Sequence, residues 1–302
     1  MFNITKTKGN NVDYITIKDV ATSSYARIFL QEGGRLETLV FKDTQILSGY
    51  ASKEYPIYYA SSILFPFANR IKNGVYMFNG KKYQLDCNEV GANNAIHGLV
   101  YDKKFQLVSV CSSRQSGKIE IQYRSDGNSK GFPFRYCLAV VYELHSKGIN
   151  ISVKVTNEDT VTFPFTIGWH PYFHSKDLYN SMLCFSANEN YSFKNNNKNV
   201  EAMVKKPGSN NSFLIKNLSL DDCYLLRNKG LNFQAPNYRL NLSGSARKSF
   251  VQLYIPNKRQ CIAIEPMTGA VNSFNNTIGL QTLNAGKSYV ESWEIAIETK
   301  NN

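Results

Sequence analysis

The sequence predicts an all-β fold, a large antiparallel β-sandwich, and three observations predict it. Apolar residues recur at every second position in short runs, turn residues separate those runs, and capped stretches of helical period are almost absent. Tyrosine (19) and phenylalanine (18) are abundant, and aromatic side chains suit pleated, half-buried strands.

The elements follow along the chain. Residues 75–78 and 81–85 flank Asn79-Gly80, a pair suited to a type I′ hairpin turn. Ile119, Ile121 and Tyr123 alternate ahead of the turn residues Ser125-Asp126-Gly127-Asn128. Tyr136, Leu138, Val140, Tyr142 and Leu144 alternate, Ser146-Lys147-Gly148 reverses the chain, and Ile149, Ile151, Val153 and Val155 return at the same period. The tail, 289–297, alternates as well. The stretch 188–212, with Lys194-Asn195-Asn196-Asn197-Lys198-Asn199 inside it, reads as a surface loop and not as a domain border. With no internal repeat and no low-complexity linker, residues 1–302 are expected to form one β domain.

Composition bounds the function. The chain has 35 Lys+Arg against 23 Asp+Glu, a formal charge of +12. These cations are dispersed, with only doublets such as Lys81-Lys82, Lys103-Lys104 and Lys205-Lys206. A nucleic-acid surface clusters its cations and interleaves aromatics, so the charge is assigned to solubility and no nucleic-acid partner is expected. The longest apolar stretch, 63–68, contains Pro66 and is far short of the roughly 18 residues a membrane helix needs, so no membrane association is expected. Residues 1–6 lack the apolar segment of a signal peptide, which points to the cytoplasm. Six cysteines stand singly at 87, 111, 137, 184, 223 and 261, with no C-x-x-C pair, and are expected to be buried free thiols.

The four histidines are His97, His145, His170 and His174. His145 ends an alternating strand beside a turn and is expected at the surface, while His174 is ambiguous. His97 lies in the loop-like Asn93-Asn94-Ala95-Ile96-His97-Gly98, and His170 in Gly168-Trp169-His170-Pro171-Tyr172-Phe173, where proline ends a strand. Glu265 follows the apolar Cys261-Ile262-Ala263-Ile264 and precedes Pro266. Buried there, it is costly to desolvate unless paired or used, and desolvation raises its pKa as a general base requires. The alternative sets it at a strand edge facing water. Asn69-Arg70 follows Phe65-Pro66-Phe67-Ala68, where the planar guanidinium is either held in a cleft or exposed. Asp221-Asp222 opens a strand, and Gln252 takes the polar position of Val251-Gln252-Leu253-Tyr254. There is no Gly-x-Ser-x-Gly elbow, Walker loop or Gly-x-Gly-x-x-Gly. His97, His170 and Glu265 have the composition of a two-histidine, one-carboxylate metal site, but the close His-x-His pair of a cupin-like strand is missing, and no metal is expected.

At these segments the chain resembles the aldose 1-epimerase (galactose mutarotase) family. Five segments occur in the family's order: Phe65-Pro66-Phe67-Ala68-Asn69-Arg70-Ile71 with Asn73-Gly74; Asn94-Ala95-Ile96-His97-Gly98-Leu99; Gly168-Trp169-His170-Pro171-Tyr172-Phe173; Asp221-Asp222-Cys223-Tyr224; and Ala263-Ile264-Glu265-Pro266-Met267-Thr268. The short spacing between Asp221 and Glu265 is similar to the compact bacterial branch. The resemblance implies a large antiparallel β-sandwich with Glu265 as the base at the C1 hydroxyl, His170 as the acid at the ring oxygen, and His97 placing the sugar. It implies sugar contacts from Arg70, Asn69, Gln252 and Asp221, with Asp222 left open. It implies an isomerase of carbohydrate metabolism with no cofactor, a small-molecule sugar substrate, and a monomer or homodimer.

Elementary chemistry supports the same roles. Mutarotation takes a proton from O1 and gives one to O5, which calls for a base and an acid on opposite sides of the anomeric centre, with aromatics such as Trp169 and Phe67 against the sugar's apolar face. The alternatives are a hexose-6-phosphate 1-epimerase, suggested by the +12 charge although no arginine cluster is visible, and a non-catalytic carbohydrate-binding module on the same fold.

Overall fold

The computed structural model describes residues 1–8, 13–89, 91–193 and 203–300. The predicted strands form. Strand Arg135–His145 buries every second residue, Tyr136 through Leu144, and pairs with Gly148–Asn157 across the expected turn. Strands Ser116–Asp126 and Ser288–Thr299 extend this arrangement on either side. The hairpin Val75–Phe78/Lys81–Gln84 turns at Asn79 (φ 48°) and Gly80 (φ 74°), the left-handed pair that a type I′ turn requires.

All described pairings are antiparallel, and the largest sheet they build has 14 strands. A five-stranded N-terminal sheet, from Phe2–Lys8 to Thr44–Gln45, lies against it. Ile15, Ile17 and Ile28 from that sheet share one buried cluster with Ile119, Ile121, Val140 and Ile151 of the large one. Burying each such side chain contributes about 1.5–3 kcal/mol, so a clean two-residue period suffices to glue sheet on sheet. The Tyr142 hydroxyl donates to the Gly34 carbonyl at 2.9 Å and pins the layers together. Helix is confined to two single turns, Tyr55–Tyr58 and Ser273–Asn276. No helix among the described residues is long and apolar enough to cross a membrane.

Three expectations are corrected. The stretch 188–212 is not a surface loop: strands Met182–Phe193 and Met203–Leu214 pair through both its flanks, and the first also pairs with Asp221–Gln234. Asn188, Asn210 and Ser212 are exposed on this hairpin, and such polar positions read as loop composition; the Lys194–Asn199 run lies outside the described residues. Of the six free thiols only Cys223 and Cys261 are buried, while Cys87 and Cys111 are exposed. Trp169 and Phe67 face the core, where Trp169 stacks near Trp293 at 6.4 Å between ring centroids. Strand alternation forces this: with His170 turned to one face, Trp169 turns to the other.

Candidate active site

Three pieces of backbone converge to make a cleft of about 460 Å³. Its floor comes from neighbouring strands Asp221–Gln234, Phe250–Tyr254 and Cys261–Met267. In their register Gln252 lies directly opposite Glu265 and Asp221 opposite Tyr254, so all four side chains project from one face. This settles which aspartate faces the cleft. Asp221 does, and its Oδ1 accepts from Gln252 Nε2 at 2.7 Å. Glu265 stands inside its strand, fully among buried residues, and not at a wet edge.

The second wall is the short pair Arg70–Lys72/Asn94–Ile96. Asn69 and His97 sit just beyond its ends, both buried and both lining the cleft. The third piece follows strand Gly168–Trp169. The His170 amide donates to Ser62 O at 3.0 Å, and its carbonyl accepts from Ser61 N at 2.7 Å, so the backbone is clamped on both sides. All seven residues singled out from sequence (Asn69, Arg70, His97, His170, Asp221, Gln252, Glu265) therefore line one cleft.

His170 Nε2 lies 3.3 Å from Glu265 Oε1, and the His97 ring stands edge-on to His170 with centroids 4.8 Å apart. Acid and base candidates are thus neighbours, not groups on opposite sides of a ligand. This corrects the expectation of groups on opposite sides of the anomeric centre: O1 and O5 of a pyranose are bonded to the same carbon, so adjacent groups can serve both.

Burial dominates the electrostatics. It pushes the Glu265 carboxyl well above its usual range, with the Asp221 charge adding to the rise and Arg70 opposing it. It is also the main cause that lowers His170 to about 3, with the guanidinium of Arg70 acting in the same direction. His97 falls well below its ordinary value through burial, then through His170 and Arg70. Both shifts favour the neutral forms, carboxylic acid and imidazole, over a fixed ion pair at the Glu265–His170 contact. Asp221 opens to the cleft, yet partial desolvation still raises its carboxyl, with Arg70 opposing.

Four buried polar atoms here have no hydrogen-bond partner in the protein: His97 Nδ1, His170 Nδ1, Gln252 Oε1 and Glu265 Oε2. Buried polar atoms are almost always paired, so this concentration marks a place for a polar ligand. The ligand atoms of His97, His170 and Glu265 all lie within 4.8 Å of one another, a set whose composition also suits a divalent transition metal.

Several lining residues escaped the sequence reading. Tyr172 stacks on His170 (centroids 5.0 Å, 20° between planes) and its hydroxyl donates to Tyr58 O at 3.2 Å. Tyr59 packs against His97 with centroids 4.9 Å apart, and Asn88 Nδ2 donates to its hydroxyl at 3.1 Å. Tyr58 and Tyr254 complete the aromatic part of the lining, taking the place given to Trp169 and Phe67. Glu89 grips Arg70, and nothing in Asp86-Cys87-Asn88-Glu89 announces it. Only Tyr172 carried a sequence signal, its place directly after His170-Pro171.

The fold is of the large antiparallel β-sandwich class with a polar cleft, and comparison with known proteins gives the family. The chain matches the aldose 1-epimerase family over residues 15–296 and belongs to it. It is 28% identical over 282 residues to the uncharacterized protein YihR of Escherichia coli (strain K12), covering 89% of each chain. Its fold is similar to a galactose mutarotase-like protein from Clostridium acetobutylicum (TM-score 0.86, 20% identity, 99% of each chain). It is also similar to galactose 1-epimerase from Lactobacillus acidophilus (TM-score 0.79, 15% identity, 100% of this chain and 99% of that one).

Proposed function

We propose that this protein is an aldose 1-epimerase that interconverts the α and β anomers of a hexose such as galactose or glucose, working in the cytoplasm as one domain over residues 1–302. The observation that carries the reading is the convergence of Glu265, His170 and His97 in a cleft that also presents Asn69, Arg70, Asp221 and Gln252. Substrate binding sets the stage with Arg70, Asn69, Asp221 and Gln252 holding ring hydroxyls. The resting proton moves across the 3.3 Å contact to give carboxylate and imidazolium. Glu265 takes the O1 proton, the C1–O5 bond breaks as C1=O1 forms, and His170 delivers its proton to O5. His97 hydrogen-bonds near the ring oxygen and places the sugar. Rotation about C1–C2 and the reverse transfers close the other anomer. Only protons move, so the scheme calls for no metal and no redox group.

Nuclear magnetic resonance exchange between anomers of glucose and galactose tests this. The wild type should accelerate exchange above the buffer rate, and Glu265→Gln should lose about 10²–10⁴-fold of that acceleration with its fold intact. Undiminished activity in Glu265→Gln contradicts the assigned base. Sugar binding without exchange favours a binding module instead.

A further inference from the structure

The Arg70 guanidinium does not meet the cleft alone. Its Nε donates to both Glu89 carboxylate oxygens, at 2.9 and 3.0 Å, and its Nη2 donates to Oε1 at 2.8 Å. Glu89 is held from a second side, since Asn94 Nδ2 donates to its Oε2 at 2.9 Å and its own amide donates to Asn94 O at 3.1 Å. Both side chains are largely withdrawn from water, 18% and 12% exposed, so the pair is fixed and not a fluctuating surface contact.

We propose that Glu89 is a positioning and selectivity residue: it fixes the Arg70 fork in the cleft and cancels its charge, so that the site accepts uncharged aldoses and turns away their phosphate esters. This rests on the reading of the cleft as an aldose site. Arg70 is the one lysine or arginine among the described residues that line the cleft, whereas Glu89, Asp221 and Glu265 are all carboxyl groups. A phosphoryl group seeks the same planar fork, whose Nε and Nη2 edge Glu89 already occupies. To bind there, it must either displace that carboxylate or share the guanidinium with it, which sets a dianion beside the half-buried Glu89 and close to Asp221. A hydroxyl brings no charge and faces no such penalty. The protein's overall +12 does not alter this, because no other described lysine or arginine lines the cleft, and the groups that do line it set the local field.

The experiment compares glucose with glucose 6-phosphate in the anomer-exchange assay, with kcat and KM resolved. The wild type is expected to use the phosphate ester at least about tenfold less well, judged by kcat/KM. Glu89→Gln keeps the size and removes the charge, and should shift the preference toward the ester by about tenfold. Glu89→Asp keeps the charge but is too short to span both nitrogens, and should raise KM for glucose severalfold with kcat nearly unchanged. A folded Glu89→Gln with the wild-type preference, or a wild type that uses both sugars equally, overturns the proposal. If Glu89→Gln fails to fold, Glu89→Asp decides, and wild-type KM in that variant overturns the positioning role. A wild type that exchanges no hexose anomers at all defeats the aldose reading itself, an outcome separate from any change of preference.

Discussion

Asn69 and His97 hold each other in strained backbone: the His97 amide donates to the Asn69 carbonyl at 3.0 Å, and both residues are left-handed, with φ of 59° and 62°. Asparagine tolerates this region; a histidine there is uncommon and persists only where its surroundings enforce it. The clamp aims two cleft side chains from facing chain segments. Asn69→Val puts a β-branched residue where it fits worst. It is expected to cost about 1–3 kcal/mol by thermal unfolding and to reduce kcat/KM by misplacing His97. Asn69→Gly should keep the backbone and lose only the amide's contribution to KM. Equal stability of the valine and glycine variants would show that the left-handed clamp carries no strain.

The residue after His97 is as constrained. Gly98 has φ +78°, and a Cβ there would sit 2.3 Å from the Phe65 carbonyl oxygen and 2.7 Å from the Phe65 nitrogen. Backbone cannot yield as a flexible side chain can, and Leu99 N already bonds that carbonyl at 2.7 Å. Gly98→Ala is therefore expected to destabilise by more than about 2 kcal/mol and to abolish most activity, because His97 moves with the turn. Wild-type unfolding temperature in this variant would mean that the Phe65 contact is not rigid.

How much of this was legible beforehand follows from the range of each interaction. Period-two burial is local, so 135–145, 148–157 and 288–299 could be read directly, as could the Asn79-Gly80 turn. The histidines and Glu265 were visible because each sits in an unusual local context. The grip of Glu89 on Arg70 joins residues 19 apart through a fold-level crossing and leaves no local trace. The pair 182–193/203–214 was lost for a different reason: on a hairpin with a wet face, polar residues satisfy a strand as well as a loop. The tyrosines of the lining were missed because an aromatic in a β-rich chain is uninformative until its facing is known.

Asp221 sets the working range of Glu265. After burial, the Asp221 charge is the next contribution that raises the Glu265 carboxyl. The working Glu265–His170 pair holds one proton and loses it as pH rises through the raised Glu265 value, so lowering that value moves the basic limb of the rate profile to lower pH. Asp221→Asn should shift that limb down by up to about one unit and raise KM, since a sugar contact is weakened. The check is kcat/KM against pH for both proteins. A limb that stays put or moves up means that Glu265 does not govern it.

Stability against pH offers a test independent of turnover. His170 and His97 are depressed in the fold, so each contributes stability that is fully present above the ordinary histidine value of 6.5 and is lost as pH falls toward the folded value. Glu265 is raised, so its contribution is fully present below 4.5 and is lost as pH rises through the folded value. Between pH 6.5 and 4.5 the gain from Glu265 on acidification opposes the loss from the two histidines, so the wild type should lose stability as pH falls. Denaturant melts over this range should show His97→Asn less steep than wild type, because one histidine is then left to oppose one glutamate. Glu265→Gln should be steeper than wild type, because the offset is gone, yet more stable at alkaline pH, where no buried carboxyl has to ionise. Parallel curves for all three proteins would mean that the cleft groups titrate alike in the folded and unfolded chains, and the desolvation on which the proposed chemistry depends would be absent.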